Sequence, residues 1–92
     1  MGETKVLIFG KQNCGECKKA KSRVGNCVSK WGLDSEISVI FMDMDTLEGL
    51  SEGAYRDVWE VPTTIVEQSS TTVARWDGKA PKSDSLRATL VA

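Results

Sequence analysis

The chain has 92 residues and a formal net charge of −1, with 40% hydrophobic and 27% charged residues. This length fits one small core, since a chain of this size buries only roughly 60–65% of its unfolded surface, and the balanced composition excludes disordered, collagen-like and low-complexity classes. Histidine is absent, which excludes Ser-His-Asp and Cys-His catalysis and zinc sites with imidazole ligands. We expect residues 1–92 to form a single domain.

The first third of the chain predicts a strand, a helix and a second strand. Residues 6–9 are a short apolar run typical of a buried strand. From Cys17 the apolar residues recur at intervals of three and four, as on a helix packed against a sheet: Ala20, Val24, Val28 and Trp31. Gly25 is a point where this helix is expected to weaken, kink or end. Residues 37–42 predict the second strand, and the three elements together predict a right-handed parallel unit.

The rest of the chain predicts a second helix, a hairpin and a last helix. Asp45 and Thr46 can cap the second helix, with Glu48 in a capping-box position after Asp45. Its expected buried stripe is Leu47, Leu50, Ala54, Val58 and Val61. Residues 62–67 and 71–76 predict a β-hairpin, and a helix follows Pro81. The resulting α/β order, β-α-β-α-β-β-α with a mixed four-stranded sheet flanked by three helices, resembles the thioredoxin/glutaredoxin fold.

Cys14 and Cys17 form a Cys-x-x-Cys motif at the turn between the first strand and the first helix. A sulfur at a helix start faces unpaired N–H groups and the positive end of the dipole, which favour thiolate. Lys11, Lys18 and Lys19 add positive potential, so we expect the pKa of the Cys14 thiol to lie below about 8.5. Cys17, one turn further, is expected to be shielded. This asymmetry predicts Cys14 as the nucleophile and Cys17 as the resolving thiol.

Glu16 lies between the two cysteines. Its carboxylate is favourable at a helix N-terminus, but it repels a neighbouring thiolate. A less stabilised thiolate makes a more reducing couple, so we expect a potential closer to that of thioredoxin than to that of a strong oxidant.

Cys27 stands apart from the pair. In a continuous helix it lies roughly 20 Å along the axis from Cys14, far beyond the roughly 7 Å limit between the Cα atoms of a disulfide. We expect it to act as a small buried hydrophobe. A helix that broke at Gly25 would weaken this exclusion.

Pro62 opens the predicted hairpin, where a plain strand-start proline is one interpretation. The other is a cis Val61–Pro62 bond, which would turn the backbone of Val61 toward the cysteines and present it to an extended substrate.

Three segments resemble a glutaredoxin-like redoxin of the thioredoxin superfamily, of the kind that supplies electrons to ribonucleotide reductase. They are the cysteine turn at residues 11–20, the Val61-Pro62-Thr63 run, and a Trp-x-Gly-x-x-Pro pattern at residues 76–81. The resemblance implies a dithiol electron carrier reduced by a thioredoxin-type reductase or by glutathione. It implies substrate contacts at Lys11, Gly15, Glu16, Val61, Pro62, Thr63, Trp76, Asp77 and Gly78.

The chain also departs from typical glutaredoxins. Gly15-Glu16 replaces their Pro-Tyr dipeptide, and their paired glycines followed by Asp before the last helix are missing. These changes remove expected contacts to glutathione. We expect no bound cofactor and no metal, with the Cys14–Cys17 disulfide as the redox-active group, and glutathione stays open as a ligand.

The predicted function is a small cytoplasmic thiol-disulfide oxidoreductase, a monomer acting on disulfide-containing proteins. The start of the chain shows no signal-peptide pattern, no apolar run reaches the roughly 20 residues that span a bilayer, and an isoelectric point near 5.4 disfavours nucleic acid as a partner.

Two alternatives stay open. One is a metal-binding module built on the two thiolates, which would need outside ligands because tetrahedral zinc takes four. The other is a redox-regulated adaptor that binds an acidic partner through the basic first third of the chain, where residues 1–31 carry seven Lys and Arg against two Glu.

Overall fold

The element order predicted from the sequence is confirmed in the computed structural model, which describes residues 3–91. The elements are β1 (Thr4–Gly10), α1 (Gly15–Lys30), β2 (Ile37–Asp43), α2 (Leu47–Tyr55), β3 (Thr63–Gln68), β4 (Thr71–Asp77) and α3 (Ser83–Leu90). None of the helices in this part of the chain combines the length and the apolar character needed to cross a membrane.

The four strands form one mixed sheet in the order β2-β1-β3-β4. β1 and β2 run parallel, with Thr4 opposite Ile37, so the parallel pairing predicted for the first three elements is confirmed. β3 runs antiparallel to both β1 and β4, and a register irregularity falls between Val66 and Glu67. The crossover through α1 joins the two parallel strands, as a parallel pair requires.

Both faces of β1 are buried, which explains its unbroken apolar run. Side chains alternate between faces along a strand. Val6 and Ile8 pack in the cluster that includes residues of α1 and α3, with Leu86 fully buried there. Leu7 and Phe9 pack in a second cluster on the opposite face. β1 therefore lies between the two core clusters, and the cysteine turn follows its C-terminal end.

Helix α1 is continuous, so the kink or early end predicted near Gly25 is wrong. Gly25 lies inside the helix, and a Cβ there would meet nothing within 4 Å. Cys27 is buried in the same core cluster, as expected, and its Sγ donates to Ser83 Oγ at 3.7 Å. The tertiary packing of α1 along the sheet outweighs the weak helix preference of a single glycine.

Of the two residues predicted to cap the second helix, Thr46 is confirmed, and the capping box predicted between Asp45 and Glu48 is wrong. Thr46, not Asp45, is the N-cap, and its hydroxyl accepts the Gly49 N–H at 3.0 Å. The Thr46 hydroxyl also donates to the Asp43 carbonyl at 2.7 Å. A capping box between Asp45 and Glu48 does not form, because the helix begins one residue later than that pattern requires.

The buried stripe predicted for the second helix is wrong except at Val58, which is buried in the second core cluster. Leu47 is 82% exposed and Leu50 is 50% exposed, whereas Gly49 and Gly53 are buried. The helix ends before the two valines of the predicted stripe, which lie in the loop that follows. Since α2 turns its glycines inward, its backbone approaches the structure beneath it closely and its leucines face outward.

Gly10, at the end of β1, packs directly against Cys17. A Cβ at Gly10 would lie 2.9 Å from both Cβ and Sγ of Cys17 and 3.2 Å from the Phe41 ring. We predict that Gly10→Ala lowers the free energy of unfolding, measured with urea, by about 1–3 kcal/mol.

Gly25→Ala is the matched control, because the new methyl group meets nothing and alanine favours the helix. We predict that it raises the free energy of unfolding by about 0.5–1 kcal/mol. A Gly10→Ala protein as stable as the wild type would contradict the contact with Cys17.

Candidate active site

Cys14 is the N-cap of α1, with extended backbone angles of φ −116° and ψ 114°. Its Sγ accepts the Cys17 N–H at 3.1 Å. A side chain at this position normally satisfies one of the unpaired N–H groups of the first helical turn, and here a sulfur atom does so. The positive end of the helix dipole therefore acts on the Cys14 sulfur.

The two cysteines differ sharply in exposure. They form a disulfide with 5.1 Å between their Cα atoms, within the ordinary range for such a bond. Cys14 is half-buried, whereas Cys17 is fully buried against Gly10. A reagent arriving from solvent therefore meets Cys14 first.

The carboxylate of Glu16 is turned toward the segment before α3. Its Oε2 accepts the Ala80 N–H at 3.1 Å, and its Oε1 lies 3.3 Å from Lys19 Nζ. The Ala80 N–H, followed by Lys19, lowers the pKa of the Glu16 carboxyl below its usual 4.5. The charge of Glu16 is thus partly balanced, which weakens the repulsion expected on a Cys14 thiolate.

The Val61–Pro62 bond is cis, so the cis bond of the second interpretation is confirmed. Pro62 is buried and its carbonyl accepts the Gly78 N–H at 2.8 Å. The Thr63 hydroxyl donates to the Glu60 carbonyl at 2.7 Å and lies 3.3 Å from Asp77 Oδ1. These bonds fasten the loop that contains the proline to the loop that follows β4.

An apolar groove of about 360 Å³ runs beside the cysteine turn. The groove lies between Lys11, the residue that follows β1, and Val61 of the cis peptide. Helix α2 forms one side of the groove. Its lining residues are Lys11, Met44, Leu50, Ala54, Val58, Trp59 and Val61. Trp59 is 84% exposed, and Lys11 Nζ lies 3.7 Å from Asp45 Oδ1.

Sequence reasoning missed most of this groove. The sequence pattern places Leu50, Ala54 and Val58 in a buried helical stripe and predicts no role for Trp59. Trp59 did carry a signal, since a large aromatic stands three residues before the proline. An exposed aromatic beside other apolar side chains is typical of a binding surface.

The other predicted site residues divide into two sets. Glu16, Pro62, Thr63, Asp77 and Gly78 join neighbouring loops to one another through the bonds described above. Trp76 instead pairs with Thr64 in the sheet and is partly buried against the core. Gly15 is exposed, and a Cβ there would meet nothing within 4 Å.

The described part of the chain brings together no group of three or more Cys, Asp or Glu side chains that could hold a metal ion. What it does bring together is a mixed four-stranded sheet, three helices, and a disulfide-bonded Cys-x-x-Cys pair at the N-terminus of the first helix. This combination defines the thioredoxin fold with a redox-active cysteine pair.

Solved structures share this fold across nearly the whole chain. The match to thioredoxin-2, a component of the malaria parasite protein secretion machinery, has a TM-score of 0.78 at 25% identity and covers 95% of this chain and 80% of that one. Deadhead, a germline-specific thioredoxin of Drosophila melanogaster, matches with a TM-score of 0.73 at 27% identity over 97% and 79%. A Fasciola hepatica thioredoxin matches with a TM-score of 0.77 at 23% identity over 98% and 80%.

No protein-family model and no curated protein matches the sequence. The likeness is therefore carried by the three-dimensional arrangement. The chain has the thioredoxin fold, and its disulfide-bonded Cys-x-x-Cys pair, together with thioredoxin neighbours at 25% and 27% identity, supports a thiol-disulfide oxidoreductase in general terms.

Because the folded pKa of Glu16 lies below 4.5, its contacts stabilise the folded protein above that pH, and this contribution is lost as the pH falls through the folded pKa. We predict that Glu16→Gln lowers the free energy of unfolding at pH 7. The gap between variant and wild type should shrink steadily below pH 4.5. Urea unfolding at pH 7, 5, 4 and 3 measures it.

Glu36→Gln is the control, since Glu36 is exposed and no described residue bonds or ion-pairs with its side chain. Its difference from the wild type should be small at pH 7. A Glu16→Gln gap that stayed constant from pH 7 to 3 would contradict the role given to the Ala80 and Lys19 contacts.

Proposed function

We propose that this protein reduces disulfides in cytoplasmic proteins by dithiol exchange, with Cys14 as the nucleophile and Cys17 as the resolving thiol. The observation that carries the proposal is the arrangement of the two sulfurs. One caps the helix at a half-exposed position and accepts an N–H, and the other lies fully buried one turn below it.

In the proposed reaction the Cys14 thiolate attacks one sulfur of a substrate disulfide. A mixed disulfide forms, and the first substrate thiolate leaves. Cys17 then loses its proton and attacks the Cys14 sulfur, which releases the second substrate thiolate and leaves the Cys14–Cys17 disulfide. Two electrons pass from the cysteine pair to the substrate. The Cys17 N–H, 3.1 Å from Cys14 Sγ, favours the charged form of Cys14 before the attack.

The groove beside the cysteines favours the interpretation that the substrate is a protein. It is largely apolar and lined by an exposed tryptophan, which suits the side chains that flank a disulfide in a partner. We propose that Lys11, Gly15 and Val61 touch the substrate directly, with the Val61 backbone pairing with an extended segment.

The remaining site residues hold the surface in shape. Glu16 fastens the cysteine turn to Ala80, and Pro62 and Thr63 fasten the proline loop to the loop after β4. We propose that Asp77 and Gly78 act on substrates through these bonds, because the Gly78 N–H is already bonded to the Pro62 carbonyl. This differs from the direct contacts that the family resemblance implied.

We propose a thioredoxin-type reductase as the electron donor. Gly15-Glu16 replaces the dipeptide that typical glutaredoxins use, and the similar solved structures include several thioredoxins. A role in supplying ribonucleotide reductase remains a proposal that rests on the resemblance of residues 11–20 and 76–81.

Removal of the Cys14 sulfur and removal of the Cys17 sulfur should have different effects. We predict that Cys14→Ser abolishes reduction of insulin, because no nucleophile remains at the helix cap. Cys17→Ser should still attack but fail to resolve, so a covalent adduct with the substrate accumulates, visible by mass spectrometry without reductant. Cys27→Ser is the matched control and should keep turnover, since Cys27 packs in the core near Ser83. Turnover retained by Cys14→Ser would contradict the mechanism.

The electron donor can be tested with two coupled assays on the wild-type protein. One offers NADPH with a thioredoxin reductase, and the other offers NADPH with glutathione and its reductase, each with insulin as the substrate. We predict faster NADPH consumption in the first assay by at least tenfold. Faster consumption in the glutathione assay would assign the protein to the glutaredoxin subclass instead.

A further inference from the structure

Thr64 carries a buried hydroxyl whose role the proposed reaction leaves open. The residue is fully buried, and its Oγ1 finds no hydrogen-bond partner among residues 3–91. Its neighbour Thr63 is equally buried, but that hydroxyl bonds to the Glu60 carbonyl. Buried polar groups are nearly always paired, so a hydroxyl without a partner in the core calls for an explanation.

The strand register places Thr64 on the face of the sheet that α1 covers. Thr64 lies opposite Ile8 on one side and Trp76 on the other. Directly opposite residues of an antiparallel pair share a face. Ile8 and Trp76 both pack in the core cluster that contains Ala20 and Val24 of α1. The Thr64 side chain therefore lies in the layer between the sheet and α1.

Cys17 occupies the same layer. Gly10 is two residues beyond Ile8 on β1, so both lie on the same face. A Cβ added to Gly10 would come within 2.9 Å of Cys17 Sγ. Thr64 stands on the neighbouring strand, opposite Ile8. Thr64 is thus diagonal to Gly10 across β1 and β3, on the face where Gly10 meets the buried Cys17 sulfur.

No other buried polar side chain of residues 3–91 competes for this role. The buried polar residues are Thr63 and Thr64, and the hydroxyl of Thr63 is already bonded. The cluster around Thr64 is otherwise made of aliphatic and aromatic side chains and the Cys27 thiol, which donates to Ser83. Thr64 is therefore the one hydroxyl in the described core that is free to bond to Cys17.

Reduction changes what the Cys17 sulfur can do. In the disulfide it is bonded to Cys14. When the pair takes up two electrons and two protons, the S–S bond breaks, and the Cys17 sulfur gains an S–H group and freedom to rotate about its Cα–Cβ bond. A thiol is a weak donor and acceptor, a thiolate is a stronger acceptor, and a threonine hydroxyl can both donate and accept.

We propose that Thr64 is a positioning residue for Cys17, and that its hydroxyl bonds to the Cys17 sulfur in the reduced protein. The hydroxyl has no partner in the oxidised protein and gains one on reduction, so it stabilises the dithiol relative to the disulfide. It also orients the resolving thiol beneath Cys14. The proposal deepens the proposed function, because it concerns the same cysteine pair, but it depends only on the redox equilibrium of that pair.

The test is the equilibrium of the folded protein with glutathione, in which one protein disulfide and two glutathione molecules give the dithiol and one glutathione disulfide. Thr64→Val keeps the size and β-branching of the side chain and removes the hydroxyl. We predict that it lowers the equilibrium constant for reduction by about two- to tenfold, the range of a single hydrogen bond. Thr64→Ser keeps the hydroxyl and should restore a value close to that of the wild type.

Thr89→Val is the matched control, because the Thr89 hydroxyl already bonds to the Ser85 carbonyl within α3. It should leave the constant unchanged. If Thr64→Val folds poorly, Thr64→Ala gives the same comparison. An unchanged constant in the variants without the hydroxyl overturns the proposal, as does a constant that Thr64→Ser lowers as much as Thr64→Val.

Unfolding by urea supplies an independent measurement through the thermodynamic cycle. Oxidised Thr64→Val should unfold at a higher urea concentration than the oxidised wild type, since an unpaired buried hydroxyl has been removed. Reduced Thr64→Val should gain less stability relative to the reduced wild type, or should be less stable than it. Equal gains in the two redox states overturn the proposal. A wild-type protein that equilibrates with glutathione but reduces no protein substrate would contradict the proposed function alone. The comparison of the Thr64 variants would still test the role of the Thr64 hydroxyl.

Discussion

The site depends on the bond between the Cys14 sulfur and the N–H of Cys17 at the start of α1. This bond places one sulfur at the positive end of the helix, where charge is favoured. The same helical turn carries the second sulfur down to Gly10, where only a residue without a side chain leaves room. One local structure thus produces an accessible sulfur and a shielded one from a spacing of three residues.

Three loops surround that helix start, and a few bonds keep them together. Glu16 reaches Ala80, the Pro62 carbonyl reaches Gly78, and Thr63 reaches Asp77. These loops are far apart in sequence, so their bonds form only once the sheet has aligned β1, β3 and β4. The surface offered to a substrate is therefore held by the sheet, with the loops contributing the contacts.

Helix α2 shows how the groove arises. Buried glycines bring its backbone close to the core, so its apolar side chains are left facing outward beside the cysteine turn. An ordinary amphipathic helix would have buried Leu50 and left no apolar wall. The groove is thus a consequence of small residues on the inner face of the helix, and Trp59 extends it toward the cis peptide.

Much of this protein follows from its sequence. Local patterns predicted the element order, the parallel pair and the place of the cysteine pair. These patterns are the apolar run of β1, the periodicity of α1, the hairpin and the Cys-x-x-Cys spacing. Each of them involves residues that are close together in the sequence. The structure alone decided that Thr46 caps α2, that Leu47 and Leu50 face outward, that Trp76 packs against the core and that Thr64 shares a layer with Cys17. Those outcomes depend on how closely segments that are distant in the sequence approach each other, and a local sequence pattern does not determine that distance.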